Sequence, residues 1–274
     1  GLVISGRPDI YERVLERELD SCRNIIGVVR HLRYSDVRRP GIPARLLDQA
    51  IDRADPIAVA ECLLLALEHW GTGRITDADT LVYNALTFLN ERKDTRWVLW
   101  AWSLPSLKFY DELTPERGAL MLQNLGYLPE VGFQAEEILA RLARNKAEAV
   151  WDYFGLRIAR EAQRGEDGGR YQAVPFHLHS LQKELSKDPQ LAIRVGLSWF
   201  TGDQRLFRFR GGLFLSNVFP NCTPAFSAAL VDLVRAGGDV EADFALAIIQ
   251  NYKGGSSIHT VLKEVVSQFP ADAG

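Results

Sequence analysis

The sequence predicts an all-α protein, an α-solenoid of stacked HEAT-like helical hairpins. Three observations carry that prediction: a repeated helix-start signal, apolar residues at helical spacing, and glycines placed where helices end. The start signal is an N-cap residue followed by proline, at Asp55-Pro56, Thr114-Pro115, Asp188-Pro189 and Thr223-Pro224. A cap oxygen satisfies the orphan backbone donors of the first turn, and proline at the first helical position gives up an N–H that has no partner there. Apolar stripes at i, i+3, i+4, i+7 run through Leu47, Ala50, Ile51 and Ala54, through Ala135, Ile138, Leu139 and Leu142, and through Ile258, Val261, Leu262 and Val265. Ala147, Trp151, Phe154 and Ile158 form a longer stripe. Gly71, Gly126, Gly202, Gly237-Gly238 and Gly254-Gly255 close the apolar-periodic stretches.

In chain order these signals place helices at about 8–33, 43–54, 56–70, 77–92, 95–110, 115–126, 132–144, 146–163, 175–187, 189–201, 205–219, 224–237, 239–252 and 256–269. The apolar run Ile57–Leu67, interrupted by Glu61, predicts a central, buried helix rather than a membrane span. Helix plus turn repeats at about 15–20 residues, so a hairpin recurs at roughly 35–40, within the range of HEAT-like and TPR-like arrays. The TPR consensus is missing and the period is irregular, which favours HEAT-like units. Two breaks divide the array: Arg38-Arg39-Pro40-Gly41-Ile42-Pro43, and the polar, glycine-rich Gly165-Glu166-Asp167-Gly168-Gly169-Arg170. The expected organisation is an N-terminal helical segment at 1–39, a first part of the solenoid at 40–164 and a second part at 171–270.

Composition narrows the function classes. Hydrophobic residues make up 47% and charged residues 24% of the chain, the balance of a globular protein. A net charge of −3 argues against a dedicated nucleic-acid binder. Cys22, Cys62 and Cys222 are odd in number and far apart, and read as small buried residues of a reducing compartment. Without a signal peptide or a spanning segment, a cytoplasmic protein with no membrane partner is expected. The chain begins at Gly1 and holds one Met, and is expected to be part of a longer polypeptide.

Motifs of known chemistry are missing: no G-x-S-x-G elbow, Walker A pattern, G-x-G-x-x-G turn, H-E-x-x-H or C-x-x-C. Neither a cofactor nor an enzymatic activity is therefore expected. His177 and His179 are placed on a helix, where two residues apart means about 200° apart, too divergent to share a metal. Asp77-Ala78-Asp79 reads as helix capping. Glu136-Glu137 diverge around their helix rather than forming a catalytic pair.

Surfaces carry the remaining signal. Arg30, Arg33, Arg38 and Arg39 alternate with His31 and Tyr34, a pattern that suits phosphate contact or, more simply, intramolecular pairing. Arg205, Arg208 and Arg210 interleave with Phe207 and Phe209. The face Leu206, Phe209, Leu213, Phe214 predicts a buried Phe209 and an exposed stripe of Arg205 and Arg208. Trp97 and Trp100 are expected on one helix face and Trp102 away from it, as packing residues or, where a ring is exposed, an interface anchor. The candidate interaction residues are Arg205, Arg208, Arg210, Asp167, Arg170 and Trp102.

Two stretches carry a family resemblance. Ala135-Glu136-Glu137-Ile138-Leu139 with Ala149-Val150-Trp151-Asp152-Tyr153-Phe154, and Asp243-Phe244-Ala245-Leu246 with Asn251-Tyr252-Lys253-Gly254, resemble the helical repeats of very large bacterial proteins, some with a STAND-type NTPase domain and a role in immunity to phages. The resemblance covers roughly residues 77–270. It implies a C-terminal sensor or scaffold whose NTPase and effector lie upstream, and no ATPase residue carries over. The expected function is protein recognition or scaffolding, since stacked hairpins present a long surface for a protein partner. The alternative is a nucleic-acid-binding repeat protein, including the repeat-type DNA glycosylases.

Overall fold

A computed structural model describes residues 24–34, 41–75, 77–104, 108–164 and 171–268. These residues are helical wherever they are regular, with no strand among them. Two compact units lie on either side of the Tyr127–Leu128 bond. No helix among the described residues is long and apolar enough to cross a membrane.

The first unit is built around α3 (Pro56–Glu68), which is apolar on every side and buried from Ala58 to Leu67. A helix of that composition has to be covered all round. It is covered by α1 (Ile25–Tyr34), α2 (Ile42–Asp52), α4 (Ala78–Glu91) and the short α5 (Val98–Ala101). The last helix, α7 (Pro115–Leu125), packs on α4 and follows the one-turn α6 (Lys108–Glu112). The expected helix over 95–110 is thus replaced by α5 and α6. Leu104 lies outside a helix, and it precedes Pro105, whose ring disfavours helical geometry at the residue before it.

The second unit opens with α8 (Phe133–Arg164), two helical segments that meet at a non-helical Lys146 (φ −140°, ψ 45°). α9 (Ser180–Leu185) packs on α8. α10 (Pro189–Gly202) touches α8 and, later in the chain, α13 (Pro224–Ala236) and α14 (Asp239–Ile249). Between them come α11 (Gln204–Leu206), a π-helical turn at Phe207–Gly211 and α12 (Gly212–Val218). α15 (Ser256–Gln268) closes the unit against α13.

All four cap–proline pairs start helices as expected. Asp55 accepts from the N–H groups of Ile57 and Ala58, Thr114 from Arg117, Asp188 from Leu191 and Thr223 from Phe226. Val174-Pro175 shows what the cap contributes. Without a cap oxygen before the proline, the expected helix over 175–187 does not start there, and residues 171–179 stay non-helical. α9 begins only at Ser180, where Glu136 on α8 supplies the missing carboxylate and accepts from the N–H groups of His179 and Leu181. Glu136 is buried for this structural purpose, and Glu137 takes the Ser180 hydroxyl. His177 and His179 lie in this non-helical stretch, both exposed, instead of on a helix. Asp77 stands at the N-cap position of α4 without making a side-chain cap bond, while Asp79 is bound to Arg117 at 2.6 Å.

Candidate recognition surface and pocket

The surface around the π-helical turn brings together three of the sequence-predicted residues, Arg205, Arg208 and Arg210. A stripe at helical spacing decides which side chains turn inward: Phe207, Gly211, Phe214, Leu215 and Val218 are all buried. Phe207 meets Phe200 at 5.5 Å and Phe244 at 5.3 Å between ring centroids. Gly211 makes this possible, since a Cβ there would stand 2.5 Å from the Phe207 ring. The expectation that Phe209 is core is therefore corrected. Phe209 is 63% exposed, because the winning stripe runs through a glycine that adds no apolar side chain to the pattern.

The three arginines differ. Arg210 forms a two-point salt bridge with Glu161 on α8, at 2.8 and 2.9 Å, and its guanidinium lies 4.3 Å from the Phe209 ring centroid. That geometry is both a bidentate carboxylate clamp and a cation–π contact. Arg205 and Arg208 are exposed and make no ion pair among the described residues. Arg208 has its guanidinium 5.6 Å from the Phe200 ring. Asp167 and Arg170 lie outside the described residues. Trp102 belongs to the first unit, is half-buried, and donates through Nε1 to the Leu99 carbonyl at 3.1 Å. Beside it Trp100 is 59% exposed while Trp97 is buried and donates to Asn124 Oδ1 at 2.6 Å, so the two do not share an environment.

Composition and motif reading missed a pocket under the π-helical turn. It has a volume of about 210 Å³ and is walled by Ile158 and Ala159 of α8, Trp199 of α10, and Leu206 and Phe207. Glycines open it. At Gly155 a Cβ would sit 2.6 Å from Trp199 Nε1, so the indole rests directly on the α8 backbone. Asp203 stands at the edge, where its carboxylate accepts from the Leu206 N–H at 2.9 Å and caps α11. The sequence signal for the pocket was present as Gly155 one turn after Trp151, and Gly202 and Gly211 around the arginine cluster.

Other polar clusters are structural. Glu61, 5% exposed, takes both Arg30 (2.6 Å) and Arg33 (3.3 Å), and Arg33 also reaches Glu68 at 2.7 Å. The first basic stretch thus pairs internally through Arg30 and Arg33, while Arg38 and Arg39 lie outside the described residues. Cys62 and Cys222 are free and buried. No group of three His, Cys, Asp or Glu side chains among the described residues could hold a metal ion.

The chain matches no protein-family model, no curated protein and no solved structure.

Proposed function

We propose that this chain is a protein-recognition module, the sensor or scaffold arm of a larger bacterial protein, with its helices stacked as HEAT-like hairpins. The observation that carries the reading is a pair of exposed arginines, Arg205 and Arg208, without an ion pair among the described residues and beside an exposed phenylalanine, Phe209. Arginine and aromatic side chains dominate the energetics of protein interfaces, and an exposed cation without its own carboxylate favours an acidic partner. The partner class is an acidic protein surface carrying an apolar contact for Phe209.

The test is capture from bacterial lysate, with and without phage infection, using wild type and the Arg205→Glu/Arg208→Glu variant as baits. A discrete protein captured by wild type and reduced at least tenfold with the variant is the expected result. An identical set of captured proteins from both baits overturns this surface. Recovery of nucleic acid in place of protein, with steeply salt-dependent binding, would transfer the surface to the nucleic-acid reading.

A further inference from the structure

The pocket lies beneath the same π-helical turn that carries Arg208 and Arg210, and it has a chemistry of its own. Its wall is apolar: Ile158, Ala159, Leu206 and Phe207 offer no polar side-chain atom. The indole of Trp199 supplies a donor, Nε1–H, which has no acceptor among the described residues. Trp199 is half-buried and its Nε1 is not among the buried polar atoms left without a partner, so this N–H is open to a molecule that enters from outside. Asp203 brings the one carboxylate among the lining residues, already bonded to the Leu206 N–H, and its charge at the edge disfavours an anion. One side of the pocket is a π-helical turn, a rare backbone form that recurs at functional sites. The volume of about 210 Å³ exceeds the ~150 Å³ of an apolar cavity that takes up benzene.

We propose that this pocket binds a small, neutral, largely apolar molecule, the size of a substituted benzene ring, carrying one hydrogen-bond acceptor for Trp199 Nε1–H. The ring lies against Ile158, Ala159 and Phe207, and the acceptor faces the indole. This site is independent of the protein-recognition reading.

Two probes of equal size separate the elements of the proposal. Acetophenone carries a carbonyl acceptor; ethylbenzene replaces that carbonyl with a methylene. The indole N–H resonances of the whole chain, with Trp199 assigned through Trp199→Phe, are followed in a titration by nuclear magnetic resonance. Acetophenone is expected to move the Trp199 N–H resonance saturably, and to bind about fivefold more tightly than ethylbenzene, the value of one hydrogen bond. Ala159→Phe, which fills the pocket from a half-buried wall position, is expected to abolish both. A Trp199 resonance that stays in place up to the solubility limit of acetophenone overturns the site, whatever the variant does. Movement that persists in folded Ala159→Phe also overturns it, and equal affinities for the two probes remove the role of the indole.

Discussion

The two units bury charge in opposite ways. In the first, Glu61 sits inside the apolar helix α3 and is met by opposite charges, Arg30 and Arg33 of α1. In the second, Arg157 is only 1% exposed, and its guanidinium is met by backbone carbonyls: Ala173 at 2.9 Å, Leu128 at 2.9 Å and Gln172 at 2.6 Å. Tyr171 and Tyr153 flank it, with ring centroids 4.6 and 5.7 Å away. Their surroundings differ as well. The first unit packs α3 mostly with aliphatic side chains, whereas the second is a chain of rings in which Phe154 and Phe214 approach to 4.2 Å and Phe219 stacks on Phe226 at 4.1 Å. The contrast teaches what each charge is for. Glu61 joins two helices, which already satisfy their own backbones. Arg157 serves segments without helical hydrogen bonds, around 128–129 and 171–174, and its planar fork of five donors suits several carbonyls at once.

The largest expected effect follows from that assignment. Arg157→Met keeps most of the volume but leaves one buried carbonyl, that of Ala173, and two half-buried ones, those of Leu128 and Gln172, without their donor. A cost of about 3 kcal/mol is expected, since an unsatisfied buried group costs on the order of 1–3 kcal/mol and the two half-buried carbonyls recover part of their loss from water. Hydrogen exchange gives the specific reading: the Gln172 N–H, bonded to the Pro129 carbonyl at 2.8 Å, should lose protection while amides of α3 keep theirs. Unchanged protection at Gln172 would show that Arg157 is not what holds this stretch in place.

Glu61→Ala is the counterpart in the first unit, and about 2 kcal/mol is expected from denaturant midpoints. Breaking a fully buried pair typically costs 3–5 kcal/mol. Here the Arg30 side chain is 57% exposed and can turn to water, and Arg33 keeps Glu68, so the effect is discounted. Glu61→Leu sharpens the comparison. If the glutamate only fastens α1, an apolar replacement within this apolar helix should recover much of the loss, whereas Arg157→Leu has no such route because the carbonyls remain. Equal losses for Glu61→Leu and Arg157→Leu would erase the distinction between the units.

The same contrast explains how much of the molecule was legible in the sequence. Helix starts were readable wherever the cap stands beside its proline, as at Asp55 and Thr223, because the interaction is local. Where the cap comes from another helix, as Glu136 does for α9, nothing near Val174-Pro175 announces it. The break at 145–146 and the buried α3 follow from local pattern; the partners of Arg157 do not, since they are backbone atoms whose positions no side-chain sequence encodes. At the candidate site the arginines were legible as a cluster, and the exposure of Arg205 and Arg208 with them. Phe209 and the pocket were not, because Gly155 and Gly211 do their packing by having no side chain.

The smallest effect at neutral pH separates the two buried cysteines. Burial pushes the Cys222 thiol up to about 11, whereas the Cys62 thiol is pushed up by burial first and then by the neighbouring charges of Glu61 and Asp55. For both, the folded chain holds a proton that the unfolded chain releases near the ordinary thiol range. As pH rises above about 9 the unfolded state binds fewer protons, so stability falls with rising pH, and for Cys222 that fall continues to about pH 11. At pH 10 the loss from Cys222 is on the order of 1 kcal/mol, at 1.36 kcal/mol for each unit of pKa difference. Urea midpoints between pH 8 and 10 measure it. Cys222→Ala should flatten the slope whatever it does to stability at pH 7. Only the Cys62 slope should respond to Glu61→Gln, which removes a carboxylate that the second unit has no equivalent of beside Cys222. A slope unaltered in Cys222→Ala would place the alkaline sensitivity in other groups.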